Sequence, residues 1–156
     1  MDDFKPLTLE ERDLFTSIFK KTQPVASELS FSYLYMWRRD YNLKWNIIAE
    51  HLCLVSKSDY YTHFAFCPIP LDGQRNDENF KKAVDALEEF FTKDNTPLIF
   101  GRVEEKRISQ LKDIYGDRLE IEYLDWASDY VYELPKMITL PGKKLRKKRN
   151  HISKFL

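Results

Sequence analysis

The sequence predicts an α/β domain with an α+β-type mixed sheet packed by helices. Three observations predict it. Apolar residues recur at helical spacing in several stretches, as in Phe80, Val84, Leu87, Phe90 and Phe91. Other stretches alternate with period two, as in Leu43, Trp45 and Ile47, or form a short apolar block such as Thr96-Pro-Leu-Ile-Phe-Gly101. The two kinds interleave in the order ααβββαβαββα, which suits helices packed on one sheet. With 156 residues, one domain is the default, and 43% hydrophobic and 15% aromatic residues supply its core. The 32% of charged residues balance to zero net charge, which argues against disorder of the whole chain.

The elements follow in order. Thr8 caps a first helix with Glu11 as its capping-box partner, and Leu9, Leu14, Phe15, Ile18 and Phe19 recur along it until Gln23-Pro24. A second helix is expected from Ser27 to Tyr41, apolar on more than one face. Asn42 to Ile48 reads as a strand, Ala49-Glu50 as a hairpin turn, and His51 to Ser56 as the return strand. Thr62 to Pro68 is a third strand, closed by prolines and by Asp72-Gly73. Asn76 to Thr92 is an amphipathic helix, the block ending at Gly101 a buried strand, and Glu104 to Tyr115 a helix stopped by Gly116. Leu119 to Leu124 and Tyr130 to Leu134 alternate and are expected to be strands. A last helix starts at Thr139 or Pro141. The domain is expected to span residues 1–134, and residues 135–156 to form a basic linker helix.

Cys53 and Cys67 lie in apolar surroundings and read as buried free thiols; zinc would need more ligands at closer spacing, so no metal is expected. The acidic N-terminus is no secretory signal, and no apolar run approaches the roughly 20 residues of a membrane span. The expectation is a soluble, cytoplasmic chain.

Most catalytic signatures are missing. There is no phosphate loop, nucleophile elbow or HExxH pattern. His51, His63 and His151 are dispersed and read as core or surface residues. Glu104-Glu105 suits a helix start, and Asp125 and Asp129 suit a turn, without any role as general bases. Tyr33, Tyr35, Trp37 and Tyr41 recur at helical spacing and read as core, while Arg38-Arg39 suits a helix C-terminus. The catalytic residues stay unknown.

The last stretch differs. Six of the seven residues from Lys143 to Arg149 are cationic, and no acid follows Lys136. Cations at a helix N-terminus oppose its dipole at about 0.3–1 kcal/mol each. Like pairs such as Lys143/Lys147 and Lys144/Lys148 add about 0.2–0.5 kcal/mol each. An external anion would relieve that strain. The candidate anion- or nucleic-acid-binding residues are therefore Lys143, Lys144, Arg146, Lys147, Lys148, Arg149, Asn150 and His151. Leu145, Ile152, Phe155 and Leu156 fall on one side and can anchor the helix to protein.

Asp129-Tyr-Val-Tyr-Glu-Leu134, Ile138-Thr-Leu140 and the run from Leu140-Pro-Gly to Asn150-His-Ile-Ser-Lys-Phe155 resemble the family of the C-terminal domain of bacterial phosphatidylglycerol lysyltransferases. So do Phe4-Lys-Pro-Leu-Thr-Leu-Glu10 and Glu28-Leu-Ser-Phe-Ser-Tyr-Leu-Tyr-Met-Trp-Arg38. The resemblance spans the chain, densely at both ends and loosely between. It implies two GNAT-like (acyl-CoA N-acyltransferase) units in tandem, joined by the basic helix, with aminoacyl-tRNA or acyl-CoA as donor for the whole protein. It also implies that the basic helix contacts tRNA or another anion. Two departures stand out: the chain stops at Leu156, where a second unit is expected to begin, and the Gln/Arg-x-x-Gly-x-Gly/Ala loop that holds a CoA pyrophosphate is missing. The segment Gly101-Arg-Val-Glu-Glu105 has one glycine. The first expectation is a non-catalytic half of a tandem transferase. An interaction module docking an acidic protein ranks second, and a stand-alone small acetyltransferase third.

Overall fold

The structure is a computed structural model that describes residues 4–155. Its strands are β1 (Lys5–Pro6), β2 (Leu43–Ile48), β3 (His51–Ser56), β4 (Phe64–Phe66), β5 (Ile69–Pro70) and β6 (Phe100–Gly101). The helices are α1 (Arg12–Thr22), α2 (Phe31–Trp37), α3 (Asp77–Thr92), α4 (Glu105–Tyr115), α5 (Leu134–Thr139) and α6 (Arg146–Phe155). Two compact units meet in sequence between Ile121 and Glu122.

The first unit holds the sheet, ordered β1-β2-β3-β4-β6, with β5 also paired to β3. Neighbours are antiparallel except β4 and β6, which run parallel with Ala65 opposite Phe100 and Phe66 opposite Gly101. Every residue of β3 is buried, as expected of a central strand covered on both faces. Its side chains alternate between two cores. Leu52 and Leu54 join Phe15, Ile18, Leu34 and Trp45 on the face covered by α1 and α2. Cys53 and Val55 join Ala83, Leu87 and Phe91 of α3 on the other. A third cluster ties Phe80 and Val84 of α3 to Cys67 and Leu111, the latter on α4.

The hairpin turn falls on Ala49 and Glu50, as expected, and both adopt left-handed backbone, with φ of 46° and 59°. Two consecutive positive φ values match the twist of a two-residue hairpin, a geometry usually given to Asn-Gly. Local bonds hold it instead: His51 Nδ1 lies 2.8 Å from Ala49 O, and Asn79 Nδ2 donates to the Glu50 carboxylate at 2.7 Å. Pairing on β3 shifts by one residue between β4 (Val55 opposite Ala65) and β5 (Leu52 opposite Ile69), which places a bulge at Cys67-Pro68.

The helix starts are legible chemistry. Asn76 accepts the Asn79 N–H at 3.0 Å and Ser30 the Tyr33 N–H at 3.3 Å. Thr8 does not cap α1 as expected: its N–H and hydroxyl both donate to the Glu11 carboxylate, at 2.7 and 2.8 Å, and the helix begins at Arg12 with Glu11 in the capping position.

Four other expectations need correction. The second helix is confined to Phe31–Trp37, because Asn42 turns left-handed (φ 44°) to enter β2. Leu119 to Leu124 and Tyr130 to Leu134 form no strands; alternation marks side chains suited to one face, but a strand also needs a ladder, and none is offered among the described residues. The last helix begins at Arg146, later than expected. A short α5 precedes it, and left-handed Leu140 (φ 46°) and Gly142 (φ 80°) form the turn between them. The two-residue strands β1 and β5 are additions to the expected order.

Candidate functional site

The basic segment lies in the second unit. Lys143 and Lys144 sit in the turn before α6, so the like-charge pairs expected between them and Lys147 and Lys148 lie across the helix start, not within the helix. Arg146, Lys147 and Lys148 do occupy its first turn, where the dipole opposes them and no acid is present. At 3.6 residues per turn, Arg146, Asn150 and Lys154 share one side with Lys147 and His151, Ile152 lies opposite, and Phe155 falls between His151 and Lys148. Lys143, Lys144, Arg146, Lys147, Lys148, Asn150 and His151 are all exposed. Among the described residues, none of the lysines from 143 to 148 nor Arg146 has an acidic partner. Arg149 differs. Its guanidinium donates to Leu140 O and, at 2.9 Å, to Gly142 O, so it braces the turn that launches the helix.

A second place of interest lies within the first unit, at the carboxyl ends of the parallel pair β4 and β6, where ligands of open α/β sheets usually bind. The cavity there has a volume of about 20 Å³, room for one water. Phe66, Cys67 and Ile69 line it from one side, and Arg102, Glu104 and Arg107 from the other. Charged staples pin it against the segment between α1 and α2. Arg102, left-handed at φ 57°, pairs with Glu28 at 2.6 Å. The Glu104 carboxylate accepts the Val25 and Ala26 N–H groups and pairs with Lys106 at 2.8 Å. Burial alone would raise the Glu104 pKa, but these donors outweigh it and hold the carboxyl below its ordinary range. Glu104 is thus a clamp, already saturated with donors. Gly101 is required here, since a Cβ would stand 2.8 Å from the Phe64 ring.

The other sequence candidates take structural places. His51 is buried at the start of β3, its ring edge-on to Phe80 at 5.9 Å, and burial holds its pKa below the ordinary value. His63 Nε2 bonds Ser58 O at 3.1 Å. Glu105 opens α4 and is exposed, as are Asp125 and Asp129. Tyr33, Trp37 and Tyr41 form a half-buried ladder with Tyr61, with ring centroids 6.2, 6.0 and 5.2 Å apart in turn. Tyr35 lies between Phe31, stacked at 5.6 Å, and the Arg38 guanidinium, 3.7 Å over its ring. Arg38 and Arg39 line an open concavity of about 390 Å³ with Pro6, Leu7, Asn42 and Leu43. Sequence reasoning missed the Glu28–Arg102 staple and the chain Arg107–Gln110–Asp77–Arg75, in which Gln110 joins Arg107 and Asp77 at 2.8 Å each. Neither pairing leaves a mark in spacing, because each spans more than 30 positions.

A mixed sheet covered on both faces, with a parallel pair at one margin, is a layered α/β arrangement that suits a GNAT-like fold. The chain belongs to the phosphatidylglycerol lysyltransferase C-terminal family, whose model matches residues 19–156. The family is named for the C-terminal domain of a lysyltransferase, and among the described residues no helix is long and apolar enough to cross a membrane. A conserved protein of unknown function from Bacteroides thetaiotaomicron VPI-5482, solved by crystallography, matches with a TM-score of 0.85 and 28% identity, over 99% of this chain and 50% of that one. An uncharacterised protein of Mycoplasmoides gallisepticum is 35% identical over 42% of this chain and 26% of its own length. The chain thus spans half, or about a quarter, of the length of these relatives.

Proposed function

We propose that this chain is the non-catalytic half of a tandem acyl- or aminoacyl-transferase, and that its basic segment holds the phosphates of an anionic donor, an aminoacyl-tRNA or an acyl-CoA. In this reading a linker over residues 135–156 leads to a second GNAT-like unit. The observation that carries the proposal is the run of exposed cations from Lys143 to Lys148, unpaired among the described residues and set against the helix dipole. Arg149 positions the run by fixing its turn. Asn150 and His151 add polar groups beside Lys147 and Arg146 on the exposed face. The Glu28–Arg102 pair and the bonds of Glu104 to the Val25 N–H and to Lys106 tie down the β4/β6 ends, which supports the non-catalytic assignment.

The test is fluorescence anisotropy with tRNA, and separately with CoA, across a salt series. With tRNA, five phosphate contacts, one for each of Lys143, Lys144, Arg146, Lys147 and Lys148, would give a log–log salt slope of about −3.5 to −4.5. Changing Lys143, Lys144, Lys147 and Lys148 to Glu should abolish binding, and unchanged tRNA and CoA affinity would overturn the electrostatic role. Retention of an acidic protein with no RNA or CoA affinity would favour the interaction-module reading instead.

A further inference from the structure

Arg38 and Arg39 belong wholly to the first unit, where the end of α2 leads into β2 beside β1. The concavity they line with Pro6, Leu7, Asn42 and Leu43 has a volume of about 390 Å³. That falls within the ~300–1,000 Å³ of small-molecule sites. Three of its six lining residues are apolar, two are arginines and none is an acid. Leu7 and Leu43 are part of the packed core, which makes their side of it firm, while Pro6 is exposed.

Cations suit a helix end on dipole grounds alone. The last carbonyls of this one are already taken by backbone: Trp37 O accepts the Tyr41 N–H at 3.1 Å, Arg38 O the Leu43 N–H at 2.8 Å and Arg39 O the Asn42 N–H at 3.1 Å. Arg38 is half-buried, its guanidinium 3.7 Å over the Tyr35 ring with one N–H given to Tyr35 O. Those two contacts hold the plane of the fork and leave its other donors unspent. Arg39 is exposed and pairs with no acid among the described residues, its neighbour Asp40 included. Two guanidinium groups on one concavity repel each other until an anion sits between them.

Charge selects the ligand. A carboxylate would match one of the two positive charges and leave the other bare. A phosphate monoester carries about −1.5 to −2 near neutral pH and accepts on three oxygens, enough for both forks. Inorganic phosphate alone is far smaller than the concavity, so there is room for an organic body beside it. We propose that this concavity binds the phosphate monoester of a small organic molecule, with Arg38 and Arg39 on the phosphate oxygens and the organic body against Pro6. The site is separate from the basic segment and stands whether or not the tandem reading does.

Calorimetry on the 156-residue chain with phenyl phosphate as the probe tests it. Benzenesulfonate has a like shape and a single charge, and should bind at least about ten-fold more weakly. Inorganic phosphate has the charge and no ring, and should bind about five-fold more weakly or worse. The second pKa of a phosphate monoester lies near 6, so affinity for phenyl phosphate should fall about ten-fold from pH 7 to pH 5 as the dianion is lost. Arg39→Gln leaves every contact of the fold in place and should weaken phenyl phosphate at least about five-fold. Arg38→Lys keeps the charge, loses the fork, and should weaken it about three-fold or more. A chain carrying Lys143→Glu, Lys144→Glu, Lys147→Glu and Lys148→Glu should bind the probe as the parent does. No binding of phenyl phosphate, equal affinity for it and benzenesulfonate, or an unchanged Arg39→Gln variant would overturn the proposal. Loss of binding in the quadruple variant with none in Arg39→Gln would move the phosphate to the basic segment and overturn it as well.

Discussion

Gly101→Ala should loosen the first unit at the point where β4 and β6 run side by side. The added Cβ would meet Phe64 Cδ2 at 2.8 Å, and Cγ and Cε2 at 3.3 Å. Favourable carbon contacts begin near about 3.5 Å, so something must move. The Phe64 ring has little freedom, being edge-on to Tyr41 at 6.1 Å and to Phe66 at 5.3 Å. The cost should be about 1–3 kcal/mol, typical of overpacking. For a domain of this size that lowers Tm by roughly 3–10 °C. Urea and thermal unfolding followed by circular dichroism read it directly. Phe64→Leu removes the obstructing ring and should cost about 1–2 kcal/mol alone. In the double variant the two changes should couple favourably by at least about 1 kcal/mol, because the leucine makes room for the methyl. A Gly101→Ala variant within about 0.5 kcal/mol of the parent, or strict additivity with Phe64→Leu, would refute the argument and the parallel register it rests on.

Other outcomes follow from the buried titratable groups. Glu104 has a folded pKa below its unfolded one, so its contribution to stability is present above the ordinary glutamate range and is lost as pH falls through the folded value. Glu104→Gln should therefore flatten the acid limb of the stability profile below about pH 4.5, read by urea midpoints. His51 is depressed by burial in the same sense, so its share is lost as pH falls from about 6.5, and His51→Phe should remove that inflection. Cys53 and Cys67 are each pushed up to about 12, chiefly by burial, so both should resist iodoacetamide at pH 8 until the chain unfolds. Rapid labelling of the folded chain would count against that burial.

The sequence made the long elements legible because their signals are local. Phe80, Val84, Leu87 and Phe91 state a helix face without help from the rest of the chain, and Asn76 caps it. Leu43, Trp45, Ser56 and Leu54 pair across Ala49-Glu50 as the alternation implied. What local signals could not show was pairing at a distance. Pro6 and Ile69 become strand residues only because β2 and β3 offer them edges. Leu119 to Leu124 has the pattern of a strand and finds no edge among the described residues. At the candidate site the cations were visible as composition. The use of Arg149 as a turn brace was not, since it depends on the left-handed Leu140.

Both outer strands of the sheet, β1 and β6, are two residues long, and β1 ends on Pro6, which has no N–H to give. Protofibrils grow when a chain templates its ladder on another's open edge, and edges this short offer only a bond or two. The folded first unit is therefore a poor amyloid seed even at high concentration. Precipitation of the purified chain should begin as amorphous collapse around Trp126 and Tyr130, without the cross-β signature that thioflavin dyes detect.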